Sequence, residues 1–313
     1  MKKIVTLTIS PAIDKSTTIE HVYPESKMRC SDPVFEPGGG GINVARAIKK
    51  LGGEAIAVYP KGGPTGQLME ELLNREDVKQ HTIETKNWNR ENFIVVENST
   101  NRQFRFVFPG SELTKEELET FIEEATNPKL GAEILVASGS LPLGAPIDFF
   151  ARLARKAEEN NIQYVVDTSG DSLTEVLNEK VYLLKPNLKE LQGIVGRELL
   201  TGEEQEQGAR EVLENYNIEI LAVSLGPAGA LLASKKEGIF HLPAPSVKKR
   251  STVGAGDSMV AGMVLSLSKG MSHKEAVKYG IACGTAATMN SGTELCKKKD
   301  VENLYRWLQQ LSV

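Results

Sequence analysis

The segment Ser251-Thr252-Val253-Gly254-Ala255-Gly256-Asp257-Ser258 runs straight into a helix-compatible apolar stretch, Met259 to Leu267. Glycines directly before a helix leave unpaired backbone N–H groups facing outward with the helix dipole behind them. That makes a seat for an anion such as a phosphoryl group. An aspartate there opposes a statically bound phosphate. Asp257 makes chemical sense as a general base that takes a hydroxyl proton while the neighbouring amides stabilise a phosphoryl group in transit. The other reading of the same residue is an ordinary N-cap after a glycine turn.

A second glycine run, Pro37-Gly38-Gly39-Gly40-Gly41-Ile42-Asn43, leads into a helix predicted over Asn43 to Leu51 and closed by Gly52-Gly53. Four glycines let the backbone pass close to a ligand, and the Asn43 amide can bond hydroxyls; a flexible loop is the alternative. Neither run is a dinucleotide fingerprint, because Asn43 and Met259 stand where the third glycine belongs, and no Walker loop occurs. Use of ATP therefore requires another architecture. Lys185-Pro186-Asn187-Leu188-Lys189-Glu190 follows a predicted strand, Val181 to Leu184, at the end where α/β sheets bind ligands. Asn187 and Glu190 share a face of a starting helix and can address hydrated Mg²⁺ and nucleotide phosphates. Ser224-Leu225-Gly226-Pro227-Ala228-Gly229 also follows a strand. Each alone reads more readily as a solvated turn; the four features together do not.

Around these motifs, short β-rich runs alternate with amphipathic ones. Strands are predicted at Ile4 to Ile9, Ala55 to Tyr59, Glu133 to Ala137, Gln163 to Asp167 and Glu219 to Ser224. Helices are predicted from the capping box Thr114-x-x-Glu117 through Ala125, over Ile147 to Asn160 and Glu203 to Tyr216, and from Ser272-x-x-Glu275 toward Asn290. The fold class is α/β, a mostly parallel sheet covered on both faces. Two segments break the rhythm: Lys15 to Pro37 is strand-like with no helix following, and Asn92 to Phe108 reads as a hairpin turning at Asn98 to Asn101. They predict either a small separate sheet or a plain edge hairpin. With no repeat or Pro-rich linker, one domain over residues 1–313 is expected.

Composition narrows the function. The chain of 313 residues has 37 Lys+Arg against 41 Asp+Glu and a net charge of −4, which argues against nucleic-acid and membrane-surface partners. No apolar run reaches the length of a membrane span, and the N-terminus reads as a first strand rather than a signal peptide. Three cysteines without a C-x-x-C pair and four scattered histidines exclude a disulfide framework and common zinc sites, so a cytoplasmic location is expected.

These motifs together make the chain resemble the ribokinase-like (PfkB) carbohydrate kinases along essentially its whole length. Gly38 to Asn43 with Val44-Ala45-Arg46-Ala47 is similar to the family's first signature, Ser251 to Asp257 to its second, Asn187-x-x-Glu190 to its magnesium motif, and Ser224-x-Gly226-x-x-Gly229 to its nucleotide loop. Within the family, Thr6 to Asp14 and the four-glycine run resemble the minor-type 6-phosphofructokinases. The resemblance implies an α/β/α core with a small β-sheet lid, the lid falling in segments 15–37 and 90–108. It implies that Asp257 deprotonates the 1-hydroxyl of fructose 6-phosphate, with Gly254, Ala255 and Gly256 as the anion hole. Asp14, Gly39, Gly40, Gly41, Asn43 and Ser140 would hold the sugar. Lys185, Asn187, Ser224, Gly226, Pro227 and Gly229 would hold ATP, and Glu190 would orient Mg²⁺ through water.

Two departures from the family pattern matter. Kinases of fructose 1-phosphate and tagatose 6-phosphate usually carry a lysine where this chain has Gly40, which favours fructose 6-phosphate over those alternatives. Ser251 replaces a common aspartate in the second signature, although carbonyls of Ser251, Val253, Ala287, Asn290 and Gly292 can still form a K⁺ site. A phosphorylated acceptor needs its own cations, ideally arginines. By resemblance, Arg90 and Arg105 serve the 6-phosphate, with Lys27 reaching across a dimer interface. Exposed Phe104, Phe106 and Phe108 need cover, which a homodimer through the lid supplies. The reading from a different class is a catalytically silent sugar-phosphate or nucleotide sensor.

Overall fold

A computed structural model of the protein describes residues 1–290 and 292–311. The chain begins β1 (Ile4–Leu7), β2 (Ala12–Ile19), β3 (Val34–Gly38), α1 (Gly40–Lys50), β4 (Ile56–Lys61), α2 (Gly63–Arg75) and β5 (Lys79–Glu84). It continues with β6 (Arg90–Glu97), β7 (Arg102–Val107), α3 (Lys115–Ala125), β8 (Ile134–Ser138), α4 (Phe149–Glu159), β9 (Gln163–Asp167), α5 (Asp171–Val176) and β10 (Val181–Leu184). The remainder holds α6 (Leu188–Val195), α7 (Gly202–Asn215), β11 (Ile218–Ser224), β12 (Ala230–Ser234), β13 (Gly238–Leu242), α8 (Ala255–Ser268), α9 (His273–Thr288) and α10 (Lys298–Gln310).

Nine strands form one sheet in the order β13-β12-β11-β10-β9-β8-β1-β4-β5, parallel except for the edge hairpin β12–β13 and its pairing with β11. Central strands such as β8 are apolar on both faces because helices cover both. One core packs α1, α8, α9 and α10 through Ile42, Val44, Val260, Val264, Ala282 and Val301. The other packs α3, α4 and α7 through Phe121, Phe149, Leu153, Tyr164 and Val212. Three layers result, as the alternation predicts.

The Thr114–Glu117 capping box forms in both directions. At α9 only half of the expected box forms: Ser272 accepts from the Glu275 amide, while the Glu275 carboxylate turns to Lys278 and to the Tyr305 hydroxyl. Helix α1 starts at Gly40, three positions earlier than predicted. Its first turn is wedged on strand ends: a Cβ on Gly40 would lie 2.3 Å from Ser138 Oγ, and one on Gly41 2.4 Å from the Leu7 carbonyl. Those glycines serve close helix–sheet packing, which a sequence cannot distinguish from a flexible loop.

The two rhythm-breaking segments build a second sheet in the order β3-β2-β6-β7, with β2–β6 parallel and the other pairs antiparallel. The hairpin turns between Glu97 and Arg102, as predicted. The first segment holds two strands, β2 starting at Ala12, three residues before the predicted Lys15, and residues 20–33 connect β2 to β3. Asp14 and Asn92 lie on one face, joined by a 2.8 Å hydrogen bond. Phe93, Val95, Phe104 and Phe106 line an apolar groove of about 820 Å³ on the other. Among the described residues no helix is long and apolar enough to cross a membrane, and all three cysteines are free.

Candidate active site

The site gathers at the carboxyl ends of the parallel strands, where α8 and α1 both point their N-termini. Gly254 caps α8 with φ 72°, a left-handed backbone suited to glycine. A Cβ there would also strike the Leu295 side chain at 2.7 Å. Among the described residues the amides of Gly256 and Asp257 have no hydrogen-bond partner, and that of Ala255 has only a long one to Thr252 at 3.4 Å. The anion seat is therefore present, with the Asp257 amide as an additional donor.

Asp257 is not the N-cap. It occupies the third helical position, and its Oδ2 accepts from Asn43 Nδ2 at 2.9 Å, joining α8 to α1. Burial pushes its carboxyl up to about 6, with the Asp167 charge adding to the rise and Asn43 and Lys185 opposing it. A carboxylate tuned to that range accepts a proton readily near neutral pH. Asp167, at the end of β9, is a residue the sequence reading used only as part of a strand. It pairs with buried Lys185 at 3.1 Å. A Cβ on Gly256 would sit 3.8 Å from Lys185 Nζ, so that ammonium borders the anion seat.

Asn187 and Glu190 face each other in a reciprocal capping box: Asn187 Oδ1 accepts from the Glu190 amide at 2.9 Å, and Glu190 Oε2 from the Asn187 amide at 2.8 Å. Glu190 Oε1 makes no hydrogen bond among the described residues. Asn187 also bridges in parallel to Ser224, which brings the loop Ser224 to Gly229 alongside. That loop is a tight turn with Gly226 at φ 60° and Gly229 at φ 100°. Among the described residues no three His, Cys, Asp or Glu side chains converge on a metal position. Glu190 fits a Mg²⁺ held mainly by water and phosphate oxygens, which needs no such cage.

On the small sheet, Asp14 is held above the usual carboxylate range by burial, against the lowering influence of Asn92, Arg105, Arg90 and Arg46. Arg90 is anchored by the carbonyls of Phe108, at 3.0 Å, and Ser10, at 3.3 Å, while its Nε is buried without a hydrogen-bond partner among the described residues. Arg105 is exposed on β7, Lys27 is exposed in the connection between β2 and β3, and Ser140 is exposed after β8. Gly38 and Gly39 bring β3 across this region into α1: a Cβ on Gly38 would meet Asp14 Oδ2 at 2.6 Å. Residues 251–253 lie beside 287–290 and Gly292, tied by Ser251 Oγ to the Gly292 carbonyl at 2.7 Å and by the Ser251 amide to the Thr288 carbonyl at 3.3 Å, while the Asn290 amide donates to the Ala287 carbonyl at 3.1 Å. Each carbonyl keeps a second lone pair. With Val253, this oxygen-only set fits a hard cation, and the Ser251 hydroxyl makes a bridge without a carboxylate.

A carboxyl tuned toward neutrality beside an unpaired helix N-terminus suits a phosphoryl-transferring kinase. The chain belongs to the pfkB family of carbohydrate kinases, whose family model matches residues 2–300. It is 44% identical over 311 residues to the ATP-dependent 6-phosphofructokinase isozyme 2 of Escherichia coli, covering 99% of this chain and 100% of that protein. A crystal structure of the E. coli phosphofructokinase-2 in complex with potassium superposes with a TM-score of 0.94 at 43% identity, covering 99% and 100% of the two chains. Another, in complex with fructose-6-phosphate, gives 0.92 at 41% identity with the same coverage.

Proposed function

We propose that this kinase transfers the γ-phosphoryl group of ATP to the 1-hydroxyl of fructose 6-phosphate, giving fructose 1,6-bisphosphate. The observation that carries the reading is Asp257, raised to about 6 and held in the first turn of α8 beside unpaired amides. Asp257 removes the hydroxyl proton as the oxygen attacks. The first-turn amides and Lys185 hold the negative charge of the moving group. Asp14, Asn43 and the Gly39–Gly41 turn orient the sugar, and Arg90 and Arg105 bind its 6-phosphate. Asn187 and the loop Ser224 to Gly229 hold the nucleotide, and Glu190 holds Mg²⁺ through water. When bound, Mg²⁺ would supply neutralisation of phosphate charge, and the carbonyls of Ser251, Val253, Ala287, Asn290 and Gly292 would hold K⁺.

Fructose 6-phosphate is favoured over the alternative acceptors by Gly40 and by identity. The relative named 6-phosphofructokinase stands at 44%, against 28–30% for relatives named 1-phosphofructokinase or tagatose-6-phosphate kinase. We assign the active form to a cytoplasmic homodimer paired through the phenylalanine face of the small sheet. The test is a coupled ADP-release assay over free and phosphorylated sugars. Highest kcat/KM on fructose 6-phosphate is expected; a preference for tagatose 6-phosphate or fructose 1-phosphate changes the acceptor, and no turnover on any sugar favours the sensor.

A further inference from the structure

Arg46 has entered so far only through its charge near Asp14, yet it is 3% exposed and its guanidinium is almost fully engaged. Nε and Nη2 form a fork on the Glu76 carboxylate at 2.9 and 2.6 Å. Nη1 donates to the Pro37 carbonyl on β3 at 2.7 Å and to Asn43 Oδ1, one helical turn back on α1, at 3.4 Å. The other end of that same amide, Nδ2, donates to Asp257.

The chemistry of this chain permits one arrangement. A guanidinium only donates and an ionised carboxylate only accepts. An amide between them must turn its oxygen to Arg46 and its nitrogen to Asp257; the flipped state meets a donor with a donor and an acceptor with an acceptor. Ion pairing with Glu76 alone would satisfy a buried arginine's charge. The third nitrogen, aimed at both the substrate-sheet carbonyl and the amide oxygen, goes beyond that need, and a lysine's single ammonium cannot reproduce the fork.

We propose that Arg46, anchored by Glu76, is a positioning residue that locks the Asn43 amide with its N–H on Asp257 and so fixes the aim and the ionisation of the base. The inference rests on Asp257 being that base. The other groups acting on Asp257 are Asp167 at the end of β9 and Lys185 beyond β10, and neither touches Arg46.

The test compares pH profiles of kcat at saturating substrates. Arg46→Lys lowers kcat about tenfold and moves the acid limb up by about half a pH unit, because an N–H favouring the ionised carboxylate is no longer held in place. In an Asn43→Ala background the same substitution moves the limb no further, as a residue acting through Asn43 requires. An acid limb unmoved by Arg46→Lys, or moved equally with and without Asn43, overturns the proposal. Should the lysine variant not fold, Glu76→Gln loosens the anchor while leaving Arg46 in place. A milder shift of the same sign is then expected, and no shift overturns the proposal. Full turnover by Asp257→Asn would remove the base assignment itself, so the two failures are distinguishable.

Discussion

Lys185 Nζ lies 3.1 Å from Asp167 Oδ1, and the two side chains close the gap between the ends of adjacent strands β9 and β10 beside the first turn of α8. Burial works against the lysine's charge, but Asp167, joined by Glu190 and Asp257, more than offsets it, so the ammonium is held above its usual range. The same aspartate pushes Asp257 upward. One carboxylate therefore acts on both groups, supporting the charge of the phosphate-facing cation and adding to the rise that burial imposes on the base.

Asp167→Asn separates these effects. Without the like charge, Asp257 ionises at lower pH, and the acid limb of kcat moves down. Lys185 meanwhile loses its tether, and the KM for ATP rises, by about tenfold for a lost charged hydrogen bond. A limb that stays in place would show that Asp167 does not act on the base.

Asp257→Asn should lower kcat at least about 10²-fold while both substrates still bind, as loss of a general base does. It should also stabilise the fold. The folded-state value, about 6, lies above the unfolded carboxylate's, so the stability this group contributes at low pH is lost as pH rises through 6. Above that pH the native protein carries an unfavourable buried charge, which asparagine removes. Thermal melts at pH 8 should show the variant more stable by about 1–2 kcal/mol, and at pH 4 little different. Equal melting at both values would contradict the raised carboxyl.

The two cationic candidates for the acceptor's phosphate differ in how cleanly they can be tested. Arg90 also supports the Phe108 and Ser10 carbonyls, so its removal disturbs the small sheet. Arg105 is exposed and acts on the site through charge. Arg105→Ala should raise the KM for fructose 6-phosphate by about ten- to a hundredfold, the range for a lost charge-assisted phosphate contact, with the KM for ATP unchanged. Equal weakening of both substrates would remove it from the phosphate site.

Local signals made the frame legible. The Thr114–Glu117 box, the Glu97–Arg102 turn and the apolar strands each depend on residues close in sequence. The glycine seat and Asp257 were legible for the same reason. What the chain order hides is juxtaposition. The Asn43–Asp257 bond spans 214 positions. The Lys185–Asp167 pair exists only because two strands lie adjacent. Gly40 and Gly41 read as loop because their purpose, contact with Ser138 and Leu7, lies on strands distant in sequence. Helix α2 is missing from the sequence reading although Gln67-Leu68-Met69-Glu70-Glu71-Leu72-Leu73 are strong helix formers, because Gly63-Pro64 and Gly66 at its start carry turn chemistry.

The groove of about 820 Å³ on the small sheet has apolar walls, and Phe106 and Phe108 at its edge are 53% and 54% exposed. A sheet with one face turned to the sugar site leaves this face uncovered in a lone chain, and an apolar surface of this kind tends to find a partner. Pairing two copies face to face would cover it, and would bring the exposed 20–33 connection, with Lys27, close to the partner's substrate sheet. Phe106→Asp places a charge in that contact. Sedimentation velocity should show wild type as a dimer and the variant as a monomer, and the KM for fructose 6-phosphate should rise in the monomer while its far-UV spectrum stays unchanged. A monomeric wild type, or a variant that remains dimeric, would place the assembly contact elsewhere. A monomer with an unaltered KM would show that each chain completes its own acceptor site without Lys27 of the other.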